Sequence, residues 1–422
     1  MPLLLAQIAA SRGPMAAFVA MGVVWGAFMA SMPDLQARMG VGDGQLGQIL
    51  LFGSVTAIAM MALAPRLGGW LGRWAVPLGT VLMGLGVTLP GQAAAPAVFV
   101  GALMVMGGAT GALDVWMNAR LSTIEAARGM ALMNLNHAIY SFAYAGAAGL
   151  TGLARAAGFA PVEILGAAGL VVLVLAAFCI EREGRIDGFG RGAGRGGPPP
   201  PGSLDPGGGG VVVWAGLCRA GVGGWGGGGG GAGGRAPGRL GMVPWLAGLL
   251  ILVAFLTENA AEAWSALYIE RDLGGGTGAG SAGPALLGLT MGLGRLAGQV
   301  VAMRVSDQVL LRGGLVVAAL GAIVVVAANG VAMAYAGFMV LGFGASVVVP
   351  TALAVAGRLS APGMRSHAIA RATMLGYMGF FLGPPVLGLT AELVGLRASY
   401  GLVALALVLG LFLRARLARH ER

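Results

Sequence analysis

Twelve apolar stretches divide this chain of 422 residues, and the second six repeat the first six at an offset close to 236 residues. Gly101, Gly108, Ala109 and Gly152 recur as Gly337, Gly344, Ala345 and Gly388, and Leu50-Leu51 recurs as Leu286-Leu287. A membrane chain built as two similar halves can rock them about a site held between them, opening that site first to one side and then to the other. The repeat therefore points to a secondary transporter before any single motif is weighed.

A helix needs about 20 apolar residues to cross the hydrocarbon core. The expected spans are 15–33, 46–66, 75–93, 97–120, 131–154 and 161–180, then 243–268, 282–303, 313–330, 332–356, 368–390 and 394–414. With 57% hydrophobic and 10% charged residues, a soluble fold has no place for this much apolar surface. No segment alternates with period two, which argues against a barrel. The predicted fold is an all-α membrane protein with twelve transmembrane helices in two six-helix bundles, residues 1–180 and 243–422. Between them, 181–242 holds 26 glycines, the run Pro198–Pro201 and the block Gly226–Gly231. Such a stretch cannot bury enough apolar surface to offset its ordering entropy, so a flexible cytoplasmic linker is expected.

All 26 basic residues are arginine, and the net charge is +10. With the chain start placed in the cytoplasm, 21 arginines fall on the inner side. Four, namely Arg38, Arg155, Arg271 and Arg397, fall outside, and Arg295 lies within a span. The asymmetry survives removal of the linker arginines. It sets both termini inside a bacterial inner membrane by the positive-inside rule. The charge is thus read as anchoring to the lipid bilayer, with no nucleic acid partner. Cys179 and Cys218 have no metal-like spacing, and on the cytoplasmic side no disulfide is expected. Met1 to Pro14 lacks a basic n-region, so it does not read as a signal peptide.

The turn after the second span, Pro65 to Arg73, and its counterpart after the eighth, Arg304 to Arg312, each carry two arginines seven or eight residues apart. Further patterns are Leu113-Asp114-Val115-Trp116-Met117-Asn118, Gly344-Ala345-Ser346-Val347-Val348-Val349-Pro350-Thr351 and Gly376 to Pro385, the last ending Gly383-Pro384-Pro385. Twelve spans, the six-plus-six repeat, the linker and the basic turns resemble the major facilitator superfamily over nearly the whole chain except 181–242. The acidic residue usual in its loop motif is missing from the first copy, while Asp307 stands in the second. The three local patterns resemble the fucose-permease-like branch of sugar and proton symporters and its uncharacterised bacterial relatives. That resemblance implies alternating access, symport of a small polar solute such as a sugar or related metabolite, and the proton as coupling ion with no other cofactor. The chain is expected to act as a monomer.

Ionisable residues inside spans are costly to bury and so mark function or pairing. Asp114 shares a helix face with Asn118 one turn on. A carboxylate facing a wet cavity can take a proton or accept hydrogen bonds from a solute; alternatively, Asp114 closes a salt bridge with Arg120 or Arg128. The resemblance implies a proton-coupling role for it. In the second half its counterpart is Pro350, which is expected to loosen its span. The fifth span carries a polar stripe that includes His137, Tyr140, Ser141 and Tyr144, with Asn134 and Asn136 at its start. Binding of substrate or bonding between helices would both explain His137 and Asn134. Glu258 and Glu262 are four apart in the seventh span. Glu258 is read as facing the cavity and Glu262 as an exposed interfacial carboxylate. Arg295 is expected to pair with one of them. Trp25 can stack on a solute ring or fill space. The candidate set is Asp114 for proton coupling, with Trp25, Asn118, Asn134, His137 and Glu258 for the substrate.

No Gly-rich phosphate loop and no metal-ligand spacing is present, so an enzyme is not expected. Two other classes compete with symport. Proton-driven efflux is the first, although Gly146-Ala147-Ala148-Gly149 lacks the proline usual in antiporters of the superfamily. The second is a membrane sensor or assembly factor that transports nothing.

Overall fold

A computed structural model of the chain describes residues 2–184, 186, 241–360 and 364–420. Most of the expected linker, 187–240, lies outside the described residues. By length and composition ten helical stretches qualify as membrane spans. One of them, Asp43–Gln92, is folded back at Gly72, whose φ of 57° is open to glycine but strained for other residues, so it holds two spans. A twelfth helix, Met133–Ala156, is missing from the ten because polar residues dilute its hydropathy. The twelve are numbered here as α1 Arg12–Ala30, α2 Asp43–Leu71, α3 Ala75–Gly86 with its continuation Thr88–Gln92, α4 Pro96–Arg128, α5 Met133–Ala156 and α6 Pro161–Phe178. The second six are α7 Val243–Leu267, α8 Ala282–Ala302, α9 Asp307–Val326, α10 Val331–Ala345 with Val348–Arg358, α11 Arg365–Val394 and α12 Leu396–Ala418. Among the described residues there is no strand.

Boundaries differ from the sequence expectation mainly where helices leave the bilayer. α2 runs through Pro65 to Leu71, so the turn after it shrinks to Gly72–Trp74. α9 starts at Asp307, six residues before the expected 313, because the Ser306 hydroxyl caps its first turn. At 33 residues and about 1.5 Å each, α4 is some 50 Å long and extends past a core of about 30 Å.

The two halves pack alike. In the first, α1 lies on α5, α2 on α4, and α3 on α6; in the second, α7 lies on α11, α8 on α10, and α9 on α12. Between the halves the most extensive contacts are α5 with α8 and α2 with α11, which are equivalent under the repeat. Small residues make these approaches possible. A Cβ on Gly107 or Gly111 of α4 would strike the backbone of α2 at Gly53 or Ala57, and one on Gly292 of α8 would come within 2.7 Å of the Phe142 ring of α5.

Counting spans places the start of α1 and the end of α12 on one face, called here the near face. The loops 31–42, 93–95, 157–160, 268–281, 327–330 and Gly395 then lie on the far face. The four arginines expected on the far side are all held by protein. Arg38 donates to the Gly91 carbonyl at 2.7 Å and Arg397 to that of Ala328 at 2.8 Å, while Arg155 and Arg271 join ion pairs described below. On the near face Asp307 pairs with Arg358, tying the loop motif's acidic residue to the end of α10. The kink expected at Pro350 is present as a break in α10 between Ala345 and Val348, one turn before the proline ring, where it meets the preceding carbonyl.

Candidate functional site

A cavity of about 270 Å³ lies between the halves, just below the roughly 300–1,000 Å³ usual for ligand pockets. One face of α4 lines it at helical spacing: Leu103, Met106, Gly107, Thr110, Gly111, Asp114 and Met117. The polar stripe of α5 supplies His137, Tyr140, Ser141 and Tyr144. α7 brings Glu258, Asn259 and Glu262, α8 brings Arg295, and α11 brings Tyr377, Phe380 and Pro384. From α1 come Phe18, Trp25 and Phe28, with Trp25 edge-on to Phe28 at 5.9 Å between centroids.

Asp114 faces this cavity. Its Oδ1 accepts a hydrogen bond from Asn118 Nδ2 at 3.0 Å, and the same nitrogen donates to the Asp114 carbonyl at 2.8 Å. Asn118 therefore orients the carboxylate and does not itself line the cavity. Among the described residues Asp114 forms no ion pair with Arg120 or Arg128, and Arg120 pairs with Glu181 at 2.6 Å on the near face. The neighbouring Trp116 of the same motif donates from Nε1 to the Ala64 carbonyl at 2.7 Å, anchoring α4 on α2.

Of the other sequence candidates, Trp25, His137 and Glu258 line the cavity and Asn134 does not. Asn134 sits exposed in the first turn of α5. The reason is a cap supplied from α4: Glu125 Oε1 accepts from the backbone N–H groups of Leu132 at 2.5 Å and Met133 at 2.8 Å, which starts the helix there. His137 packs its ring against Phe18 at 5.0 Å. Two further expectations are corrected. Glu262 faces the cavity one turn beyond Glu258, and is not interfacial. Arg295 forms no ion pair with either glutamate among the described residues. Its Nη1 donates to the His137 carbonyl at 3.4 Å and to the Ser141 hydroxyl, because the close α5–α8 packing brings α5 nearer than α7. Asn259, Ser54, Thr110 and Tyr377 complete the polar lining and were not singled out from sequence. Pro384 explains the contact made by Ser54. A proline removes the N–H that would bond the carbonyl four residues back, and Ser54 Oγ reaches that freed Phe380 carbonyl at 3.5 Å.

Beyond the cavity the far face is sealed by bonds between the halves. Arg155 at the end of α5 has a fully buried side chain and bonds Asp34 through Nε at 2.6 Å and Nη2 at 2.7 Å. Across the interface it bonds Glu270 through Nη1 at 2.7 Å and Nη2 at 3.0 Å. Ser281 of the second half donates to the Ala30 carbonyl of the first at 3.0 Å. Arg271 pairs with Asp43 at 2.6 and 3.0 Å, and Glu392 Oε2 accepts from the Gly44 N–H at 3.1 Å. Gly47 packs on Pro384 with no room for a Cβ. The inter-half bonds thus cluster at the cavity and beyond it, on the far side.

The family model described as Major Facilitator Superfamily matches residues 247–422. An uncharacterised MFS-type transporter of Yersinia pestis is 28% identical over 394 residues, covering 93% of this chain and 91% of that protein. The second half of the chain thus matches the major facilitator superfamily, and the whole chain aligns with a transporter of that type. Solved structures agree on the fold. The nucleoside transporter NupG superposes with a TM-score of 0.71 at 11% identity, covering 97% of this chain and 99% of that one. The Escherichia coli fucose:proton symporter FucP superposes at 0.55 and 13%, covering 97% and 99%. The chain is accordingly an integral membrane transporter and not an enzyme.

Proposed function

We propose that the protein is a proton-coupled symporter of a small polar solute in a bacterial inner membrane, with Asp114 as the coupling carboxylate. The observation that carries this reading is the position of Asp114, on a cavity between two halves that are bonded together on the far side. With the halves bonded on the far side, we read the cavity as opening toward the near face. A proton on Asp114 removes one charge from the cavity and lets the loaded protein pass between its two states. Trp25, His137 and Glu258 contact the solute, while Asn118 holds Asp114 in place. The resemblance to sugar and proton symporters favours a hydroxylated metabolite. The test is uptake by the purified protein in proteoliposomes, with a panel of solutes and an imposed pH gradient. Accumulation that follows the gradient supports symport. Solute-driven proton movement in the opposite sense would establish efflux instead.

The near face is proposed to be cytoplasmic, because arginines crowd it while the four on the far face are each tied to protein partners. Gly91 is a poor position for a label, since a Cβ there would lie 2.9 Å from the Pro161 carbonyl. Ala94 and His420 are exposed. In a background lacking Cys179 and Cys218, Ala94→Cys should react with an impermeant maleimide added outside. His420→Cys should react only after the membrane is opened. Outside labelling of position 420 in sealed cells would reverse the orientation.

A further inference from the structure

We propose that the solute is an organic monocation, an ammonium carried on an apolar or aromatic body, and that α7 receives its charged head. The proposal rests on the transport reading above and replaces its neutral hydroxylated solute with a charged one.

Charge is the first argument. Asp114, Glu258 and Glu262 face the cavity against one guanidinium, Arg295. With all of them ionised and His137 neutral, the site carries two negative charges. A proton on Asp114 in the loaded state leaves one. An uncompensated charge in the membrane interior is expensive, and such charges are normally paired. A neutral sugar leaves that charge in place, and an anion brings more. A monocation balances it.

Hydrogen bonding is the second and independent argument. Glu258 is 8% exposed and has neither a hydrogen bond nor an ion pair among the described residues. The buried Oδ1 of Asn259 also lacks a partner, although Asn259 lines the cavity. Glu262 follows one turn on, so positions 258, 259 and 262 share one side of α7. The strongest donor nearby, Arg295, is engaged by α5 through the His137 carbonyl and Ser141. α7 therefore offers a cluster of acceptors that the protein does not fill. An alkylammonium is the complement, with N–H donors and no acceptor. Trp25, Tyr140, Tyr377 and Phe380 in the same walls supply aromatic faces that attract a cation and pack on its body.

Three probes with one body and different heads test this: phenethylammonium, 2-phenylethanol and phenylacetate, each titrated by calorimetry into the purified full chain in nanodiscs. Phenethylammonium should bind tighter than the alcohol by on the order of tenfold, because charge-assisted bonds are about twice as strong as neutral ones. Phenylacetate should bind more weakly than either. The double variant Glu258→Gln/Glu262→Gln should lose the preference, while Glu258→Asp/Glu262→Asp should keep it and so control for folding. Equal or tighter binding of the alcohol or the carboxylate by the parent protein overturns the proposal. So does the absence of phenethylammonium binding, or a preference that persists in the double Gln variant. Gradient-driven accumulation of a neutral solute by a protein without this preference would sink the charge assignment and leave symport standing. The preference without gradient-driven flux of any probe would do the reverse.

Discussion

Asp114→Asn is expected to abolish accumulation while leaving exchange between the two sides of the membrane intact. The amide copies the shape and charge of the protonated carboxyl, so the carrier behaves as though permanently loaded with its proton. It can still bind solute and change conformation, but it no longer senses the gradient. One coupled proton and an imposed difference of about two pH units supply about 2.7 kcal/mol, or roughly a hundredfold accumulation. The parent protein should approach that ratio, and Asp114→Asn should stay near unity at an undiminished counterflow rate. Asp114→Ala should bind solute more weakly as well, because Asn118 would lose its side-chain partner and the cavity an acceptor. Continued accumulation by the Asn variant would move the coupling role to Glu258 and Glu262. Asp114 would then be a binding group only.

The bilayer explains why the fold was legible. A span needs a long apolar run whatever its neighbours do, so twelve runs gave twelve helices. The helix that fails a plain hydropathy criterion, α5, is informative for that reason: His137, Tyr140, Ser141 and Tyr144 dilute it because they line the cavity. The same periodicity brought out Asp114 on α4 and Glu258 on α7. What the sequence hid depended on partners far away along the chain. Asn134 was expected deeper because the start of α5 is set by Glu125, eight residues before Met133. Glu262 shares a face with Glu258, but its depth follows from the tilt and packing of α7, which no local pattern records. Arg295 was expected to meet a carboxylate on α7, yet the glycines of α8 bring α5 nearer. Asn118 was placed on the right face and given the wrong task, since spacing alone cannot tell a solute contact from a bond back to Asp114.

The far-face ion pairs were the least legible, with partners more than 100 residues apart, and their removal carries the second large effect. Arg155 is shared by Asp34 of its own half and Glu270 of the other, with its side chain fully buried. Breaking a buried pair by removing one partner typically costs about 3–5 kcal/mol, because the other partner keeps its desolvation cost and loses its compensation. That cost falls on the state in which the far face is closed. In the opposite state Asp34 and Glu270 separate into water, where Arg155 contributes less. Arg155→Met should therefore shift the balance toward the far-open state by a factor on the order of a hundred, taking about 3 kcal/mol at 1.4 kcal/mol per tenfold. The readout is a cysteine placed at Leu50, a cavity position that the sealed far face shields. In a cysteine-free background, labelling of Leu50→Cys by an impermeant maleimide added from the far side should rise at least tenfold in the Arg155→Met variant. Arg38→Ala is the control. Among the described residues Arg38 bonds to the Gly91 carbonyl of its own half and not across the interface, so its loss should leave the labelling rate unchanged. If Arg155→Met and its parent label alike while both remain folded, Arg155 does not hold the far face shut. The Arg271–Asp43 pair and the close approach of Gly47 to Pro384 would then be what holds it.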